Sequence, residues 1–397
     1  MTQKNNKGFQ TVEQDVDELE QRLIEHKKKR QRKIFGISGL VFFVILVTVL
    51  WNLLMTYESF EVQDSVDYMA SSVAKYTEFQ NNMITYSNDG ISCRNHKMEL
   101  LWNQSYEMSN PQVYICEKYL VVFDQGGTSL YIIGERGIIQ KIETATTIQK
   151  ACIASQGTVA LLLKEDMTSY VKLYDVEGKE LVGGEFYGEK ASIPIDIAFS
   201  YDAQKLGIDF VDLSKGKLQT TIAFYNFGSV GQNEIDNRVG SYTYDNVFVS
   251  KLLFVSDKRM IAFAERKLML FEGSQKPELK KEVELPHELQ SVFYDNKYIG
   301  MIYANEADTV SYHVEVYDFR GNKVMEKDTD FAYEKADFIK NHEVCLLNSN
   351  QCELITIHGV SKFRHTFEEE IYKVYSIGCG KTYLFIHNKR ADEVKLK

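Results

Sequence analysis

From residue 56 onward, apolar runs of four to eight residues rich in Val, Ile, Leu, Tyr and Phe alternate with clusters of Gly, Asn, Asp and Ser. Runs of that length bounded by turn residues predict short β-strands, and no amphipathic helical stretch interrupts them. A strand, a turn containing Gly, Asn or Asp, and a second strand recur. They read GISCRNHKMELLW from Gly90, SLYIIGERGIIQKI from Ser129, VKLYDVEGKELV from Val171, LMLFEGSQKPELKKEV from Leu268, VEVYDFRGNKVM from Val314 and ELITIHGVSKFRHTF from Glu353. A longer variant, TTIAFYNFGSVGQNEI from Thr220, fills the gap. With Ile91, Leu130, Val171, Ile222, Leu268, Val314, Leu354 and Val394 as equivalent positions, the spacings are 39, 41, 51, 46, 46, 40 and 40. Two more strands precede each hairpin. A repeat of roughly 40 to 50 residues built of four short strands predicts a β-propeller blade. The expected fold is therefore all-β, an eight-bladed β-propeller, or a seven-bladed one if the longer fourth unit is not a single blade. The eighth unit runs out of chain after its third strand, DEVKLK, and Thr56 to Gln63 (TYESFEVQ) is the expected donor of its outer strand. Closure of the ring removes an exposed edge.

The first 55 residues follow a different pattern. Ile34 to Met55 is 22 residues without a charge; as a helix it reaches about 33 Å, against about 30 Å of bilayer hydrocarbon. A single transmembrane helix is expected over 34–55, too long for a signal-peptide core and followed by no small-residue cleavage site. Lys27, Lys28, Lys29, Arg30, Arg32 and Lys33 flank it on the N-terminal side, and no Lys or Arg follows until Lys75. That asymmetry places residues 1–33 in the cytoplasm and residues 56–397 outside the cell membrane. Within the tail, Thr11, Val12, Glu13 and Gln14 fit a helix-capping box, and Val12, Val16, Leu19 and Leu23 fall on one face of a short helix of about 15 residues.

Charge narrows the partners. The chain carries a formal −10; residues 1–33 hold 9 basic and 6 acidic side chains, and the remainder, with 37 basic and 50 acidic, carries −13. An acidic outer domain argues against nucleic acid. Catalytic and metal motifs are lacking: Gly380-Lys381-Thr382 has Tyr375 where a P-loop needs Gly, and no His-Glu-x-x-His, Gly-x-Ser-x-Gly or calcium loop occurs. His342, His358 and His365 read as surface or packing residues, so no metal and no cofactor are expected. Six cysteines include no Cys-x-x-Cys; Cys345 and Cys352 face each other only if their hairpin turns at Asn348-Ser349, whereas a turn at Ser349-Asn350 pairs Cys352 with Leu347.

VKLYDVEGKEL and VEVYDFRGNKV resemble the third-strand, turn, fourth-strand pattern of WD40-like and quinoprotein-like propellers, without the Gly-His and Trp-Asp dipeptides of true WD40 repeats. Basic tail, single helix and repetitive ectodomain together resemble an uncharacterised family of membrane-anchored propellers of Gram-positive bacteria, a domain of unknown function. That resemblance implies a fold and an anchor but no catalytic residues. A quinoprotein-like enzyme would need repeated Trp docking motifs, and the chain has only Trp51 and Trp102.

The expected role is a binding or assembly module for a protein or glycan at the cell surface, the alternative being a sensor that relays binding to the cytoplasmic helix. The expected face gathers the second-to-third-strand loops and the blade connections. It offers Asp124, Asp166 and Asp308 with Tyr187, Tyr242, Tyr244, His287, Phe331 and Tyr333, a mixture suited to stacking on sugars or holding a basic peptide.

Overall fold

The computed structural model describes residues 11–71, 73–187, 192–214, 216–304, 311–378 and 380–397, except for the side chains at 11–21, 32, 46, 48–53 and 187. Two compact units emerge, residues 1–55 and 56–397.

In the first unit one helix, α1, runs unbroken over Thr11–Leu54. The two expected helices are thus one element, because Lys27 to Lys33 are good helix formers and neither Pro nor a turn cluster separates the tail from the apolar stretch. Among the described residues no helix is long and apolar enough to cross a membrane. The side chains at 46 and 48–53, in the second half of the expected span, lie outside the described residues.

The second unit is an eight-bladed propeller of four-stranded antiparallel sheets. Blades 1 to 7 are consecutive in sequence, each strand pairing with the next from the channel outward. Their innermost strands are Lys75–Phe79, Pro111–Cys116, Thr147–Ile153, Ser192–Phe199, Val249–Phe254, Leu289–Tyr294 and Lys335–Ile339, and that of blade 8 is Ile371–Ser376. The longer fourth unit is one blade; its extra length forms two short 3-10 turns, Gly231–Asn233 and Ile235–Asn237, before the outermost strand Arg238–Asp245.

The repeated Tyr-Asp-x-x-Gly hairpins owe their shape to local chemistry. Asp175 Oδ1 accepts the N–H groups of Glu177 and Lys179 at 3.0 and 2.8 Å. Asp318 Oδ1 does the same for Arg320 and Asn322 at 2.8 and 2.9 Å. Gly178 (φ +84°) and Gly321 (φ +73°) occupy the left-handed position that closes each turn. Faces of successive blades then bury apolar side chains against one another, as Val121, Phe123, Ile153 and Leu161 do between blades 2 and 3, each fully buried side chain contributing about 1.5–3 kcal/mol.

The ring is closed by its two ends. Phe60–Asp67 is the outer strand of blade 8, antiparallel to Arg390–Leu396, in register from Phe60 opposite Leu396 to Asp67 opposite Arg390 with a bulge at Gln63. It starts four residues later than the sequence suggested, because Tyr57 is used elsewhere: its N–H donates to Lys362 O of blade 7 at 2.8 Å. The Phe60 ring lies 5.1–6.2 Å from His365, Phe385, Phe367 and Phe363. Beside this seam, buried Lys362 donates to Glu343 (2.5 Å) and to the Tyr383 hydroxyl (2.8 Å), which donates to the other Glu343 oxygen at 2.6 Å.

The cysteine register is the Leu347–Cys352 alternative. Cys93, Cys116, Cys152, Cys345 and Cys352 are buried free thiols; Cys379 lies outside the described residues. Gly380 and Lys381 belong to the turn between the first two strands of blade 8, and Thr382 opens the second of them.

Candidate functional site

In five blades the innermost strand carries a β-bulge. Its pairing with the second strand slips after Ile148, Pro194, Val249, Leu289 and Ile371. A bulge turns the next side chain away from the regular alternation. The residues just beyond are Lys150, Asp196, Lys251, Ser291 and Lys373, four of them charged in strands that are otherwise mostly apolar.

These residues interact across neighbouring blades. Lys150 Nζ lies 2.8 Å from Asp196 Oδ1, and Asp196 Oδ2 accepts the Leu252 N–H at 2.7 Å. Lys251 Nζ sits 4.5 Å from the centroid of the Tyr294 ring of blade 6. It makes no ion pair with any described residue, and burial together with Lys150 pulls its pKa down to about 8. Burial also works against the charge of Lys150, but Asp196 outweighs it and holds that lysine above its ordinary value. Across the channel Lys373 pairs with Asp337. Burial raises the pKa of nearby Glu78, a shift opposed by Lys340 and Lys373.

A cavity of about 1190 Å³ opens at the end of the ring where first strands turn into second strands. Its wall comes from blades 1, 2, 6, 7 and 8, through Glu78, Tyr114, Tyr294, Asp337, Lys373 and Tyr375, and its rim from turn residues such as Asn81, Glu117, Tyr201, Asn296 and Lys340. Tyr375 OH donates to Thr77 O at 3.2 Å. His342 on the rim is hydrogen-bonded to Asp295 and meets the Tyr298 ring edge-on at 5.0 Å. Burial pushes the Tyr294 phenol up to about 12 and Tyr114 well above its usual value, so both present neutral hydroxyls. The arrangement is a cavity walled by Tyr114, Tyr294 and Tyr375 together with Glu78, Asp337 and Lys373, with Lys251 reaching the Tyr294 ring.

This is the opposite end from the one expected. At the expected end Asp124 is 8 % exposed and holds its own loop together, accepting the Asn110 N–H at 2.8 Å. Asp166 is an exposed turn residue with φ +48°. Tyr242 and Tyr244 are not loop residues: they lie on the outermost strand of blade 4, opposite Ile222 and Thr220, and pack on the blade 4–5 core. Tyr242 OH accepts the Leu279 N–H at 3.2 Å. Phe331 is 1 % exposed and belongs to the blade 6–7 core. Tyr333 shares a hydrogen bond with Ser291 Oγ at 2.8 Å and meets Tyr312 edge-on. Apolar burial thus claims the rings of Tyr242, Tyr244 and Phe331 that the turn-rich sequence context assigned to loops. Tyr187 ends a blade 3 strand, with its side chain outside the described residues, as is Asp308 entirely.

His287 lines a separate groove of about 590 Å³ between blades 5 and 6, with His313, Glu315, Lys323 and Asp328. His313, Glu315 and Glu326 there have a geometry that suits a metal ion. Lys323 Nζ, 2.5 Å from Glu315 and 2.8 Å from Glu326, already supplies the cation.

Several known structures align with most of the chain. Over 85 % of this chain and 100 % of the other, BamB from Moraxella catarrhalis superposes with a TM-score of 0.48 at 14 % identity. AztD from Citrobacter koseri matches over 79 % and 95 % (TM-score 0.48, 10 % identity), and the Pan2 WD40 domain of Neurospora crassa over 86 % and 97 % (0.43, 9 %). No protein of curated function matches the sequence. A family model does, over residues 54–396, which embrace every blade: the chain belongs to DUF5711, a family of unknown function.

Proposed function

We propose that this protein is a single-pass, membrane-anchored binding module, its propeller outside the cell membrane and its ligand, a surface protein or glycan, held at the tyrosine-lined mouth of the channel. The observation that carries the reading is the cavity of about 1190 Å³, in which Tyr114, Tyr294 and Tyr375 share the wall with Glu78 and the Lys373–Asp337 pair. Concave sites with aromatic walls and a few placed polar groups are where ligands bind. The role is binding rather than turnover: Lys150 and Asp196, and Lys373 and Asp337, are held in ion pairs, and the rim imidazole is tied to Asp295.

The anchor reading is supported by the uncharged run Ile34 to Met55 and its six N-terminal cations. Along α1 the large apolar side chains Phe35, Ile37, Leu40, Phe42 and Phe43 are 60–79 % exposed, a surface that calls for lipid. Protease added to wall-stripped intact cells should remove residues 56–397 and spare the tail. Protection of the propeller would overturn the orientation.

A further inference from the structure

Next to Tyr294, a wall residue of the cavity, blades 3 to 5 carry more positive charge than they neutralise. Lys150 and Lys251, from neighbouring positions of blades 3 and 5, share the single carboxylate of Asp196 in the blade between them. Asp196 is itself satisfied twice, by Lys150 and by the Leu252 amide. Lys251 makes no ion pair among the described residues and lies against the face of Tyr294, with Asp196 acting on it only from a distance. An ammonium withdrawn from water without a counter-charge is costly, and a ring quadrupole offsets only part of that. The opposite wall has Glu78 and Asp337 against Lys373, with Lys340 at the rim. That wall is balanced, two carboxylates against two lysines, so the one cation in excess on the side of blades 3 to 5 is the place for an anion.

We propose that Lys251, backed by Lys150, is the receptor for a carboxylate on the ligand that enters through the mouth. This deepens the proposed function and rests on the mouth being the binding site. One cation in excess matches a singly charged carboxylate better than a phosphate monoester, which brings about 1.5 to 2 negative charges at neutral pH. Tyr294 beneath the ammonium gives the carboxylate a neutral phenol as a further donor. A peptide terminus and an acidic sugar both carry such a carboxylate. With Lys251 losing its proton near pH 8 and Lys150, Asp196, Cys152 and Tyr294 its charged or titratable neighbours, binding weakens as the pH rises through that value.

The test is thermal unfolding of the full chain in detergent, at constant ionic strength in chloride, with acetate, glucuronate or a free-acid tripeptide, each beside its neutral amide. A ligand that binds only the folded state raises the melting temperature. At least one carboxylate should do so and its amide should not, with the glucuronate and tripeptide arms telling a sugar acid from a peptide terminus. Lys251→Met should weaken the effect about tenfold or more, and Lys251→Arg should retain part of it. Lys251→Met removes an unpaired charge rather than one half of an ion pair, so it should fold; the wild-type loss of the effect above pH 8 is a second readout that needs no variant. Equal action of acid and amide, no effect from any carboxylate, or a wild-type response in Lys251→Met overturns the assignment. If ligand is nevertheless captured at Asn296 on the rim, the mouth remains the site and only the carboxylate is wrong.

Discussion

A propeller beginning at Asp64 should melt well below one beginning at Thr56 and aggregate more readily. The shorter chain loses Tyr57, Phe60 and Val62. Tyr57 is 8 % exposed and hydrogen-bonded to blade 7, and Phe60 fills an aromatic cluster with Phe363, Phe367 and Phe385. Losing these rings costs about 3–6 kcal/mol at 1.5–3 kcal/mol each. It also bares the end of Arg390–Leu396 nearest Leu396, an unpaired edge ready to add a strand from another molecule. Differential scanning calorimetry with light scattering reads both effects. Coincident melting of the two chains would mean that the Phe60–Asp67 seam does not hold the ring shut.

The blade count and the closing strand were legible because a four-strand period survives sequence drift: each hairpin keeps a Gly, Asn or Asp in its turn, and each sheet face its apolar alternation. The face proposed here for binding was not legible from loop composition. Aromatics near turns, such as Tyr242, Tyr244 and Phe331, are as useful to the seams between blades as to a ligand, and local sequence does not distinguish the two. A better guide lay in the first strand of each unit, where TIQKACI, SIPIDIAF, VSKLLF and IYKVYS each interrupt an apolar run with one charge. A charge recurring at that place cannot face a neighbouring blade at so little cost, so it faces the channel. The bulge that turns it there is a backbone feature with no residue of its own to betray it.

Asp209→Asn should stabilise the protein at neutral pH, by more as the pH rises. Asp209 is fully buried on the second strand of blade 4, directly opposite Asp196. Neither of its oxygens has a hydrogen-bond partner among the described residues, and the same is true of Thr220 Oγ1 and Tyr244 OH on that blade. Burial first, and Asp196 second, push its pKa up to about 8. The folded protein therefore holds a proton that the unfolded chain releases near pH 4. Stability from this group is full below about pH 4 and is lost as the pH rises toward 8. Asn has no proton to hold, so its advantage over Asp grows by about 3 kcal/mol between pH 5 and 7.5, at 1.36 kcal/mol per unit. Urea unfolding of both proteins across that range measures it. Parallel curves would mean that Asp209 is ionised in the folded state and solvated by internal water linking it to Thr220 and Tyr244.

The central claim is that ligand is held at the channel mouth formed by the first-to-second-strand turns. A photo-crosslinking amino acid placed at Asn296, on the exposed rim, or at Asp166, on the exposed opposite end, tests it in intact cells. The account predicts a discrete adduct from position 296 that is lost when Lys251→Met is added, and none from position 166. An adduct from position 166 with nothing at 296 would contradict it.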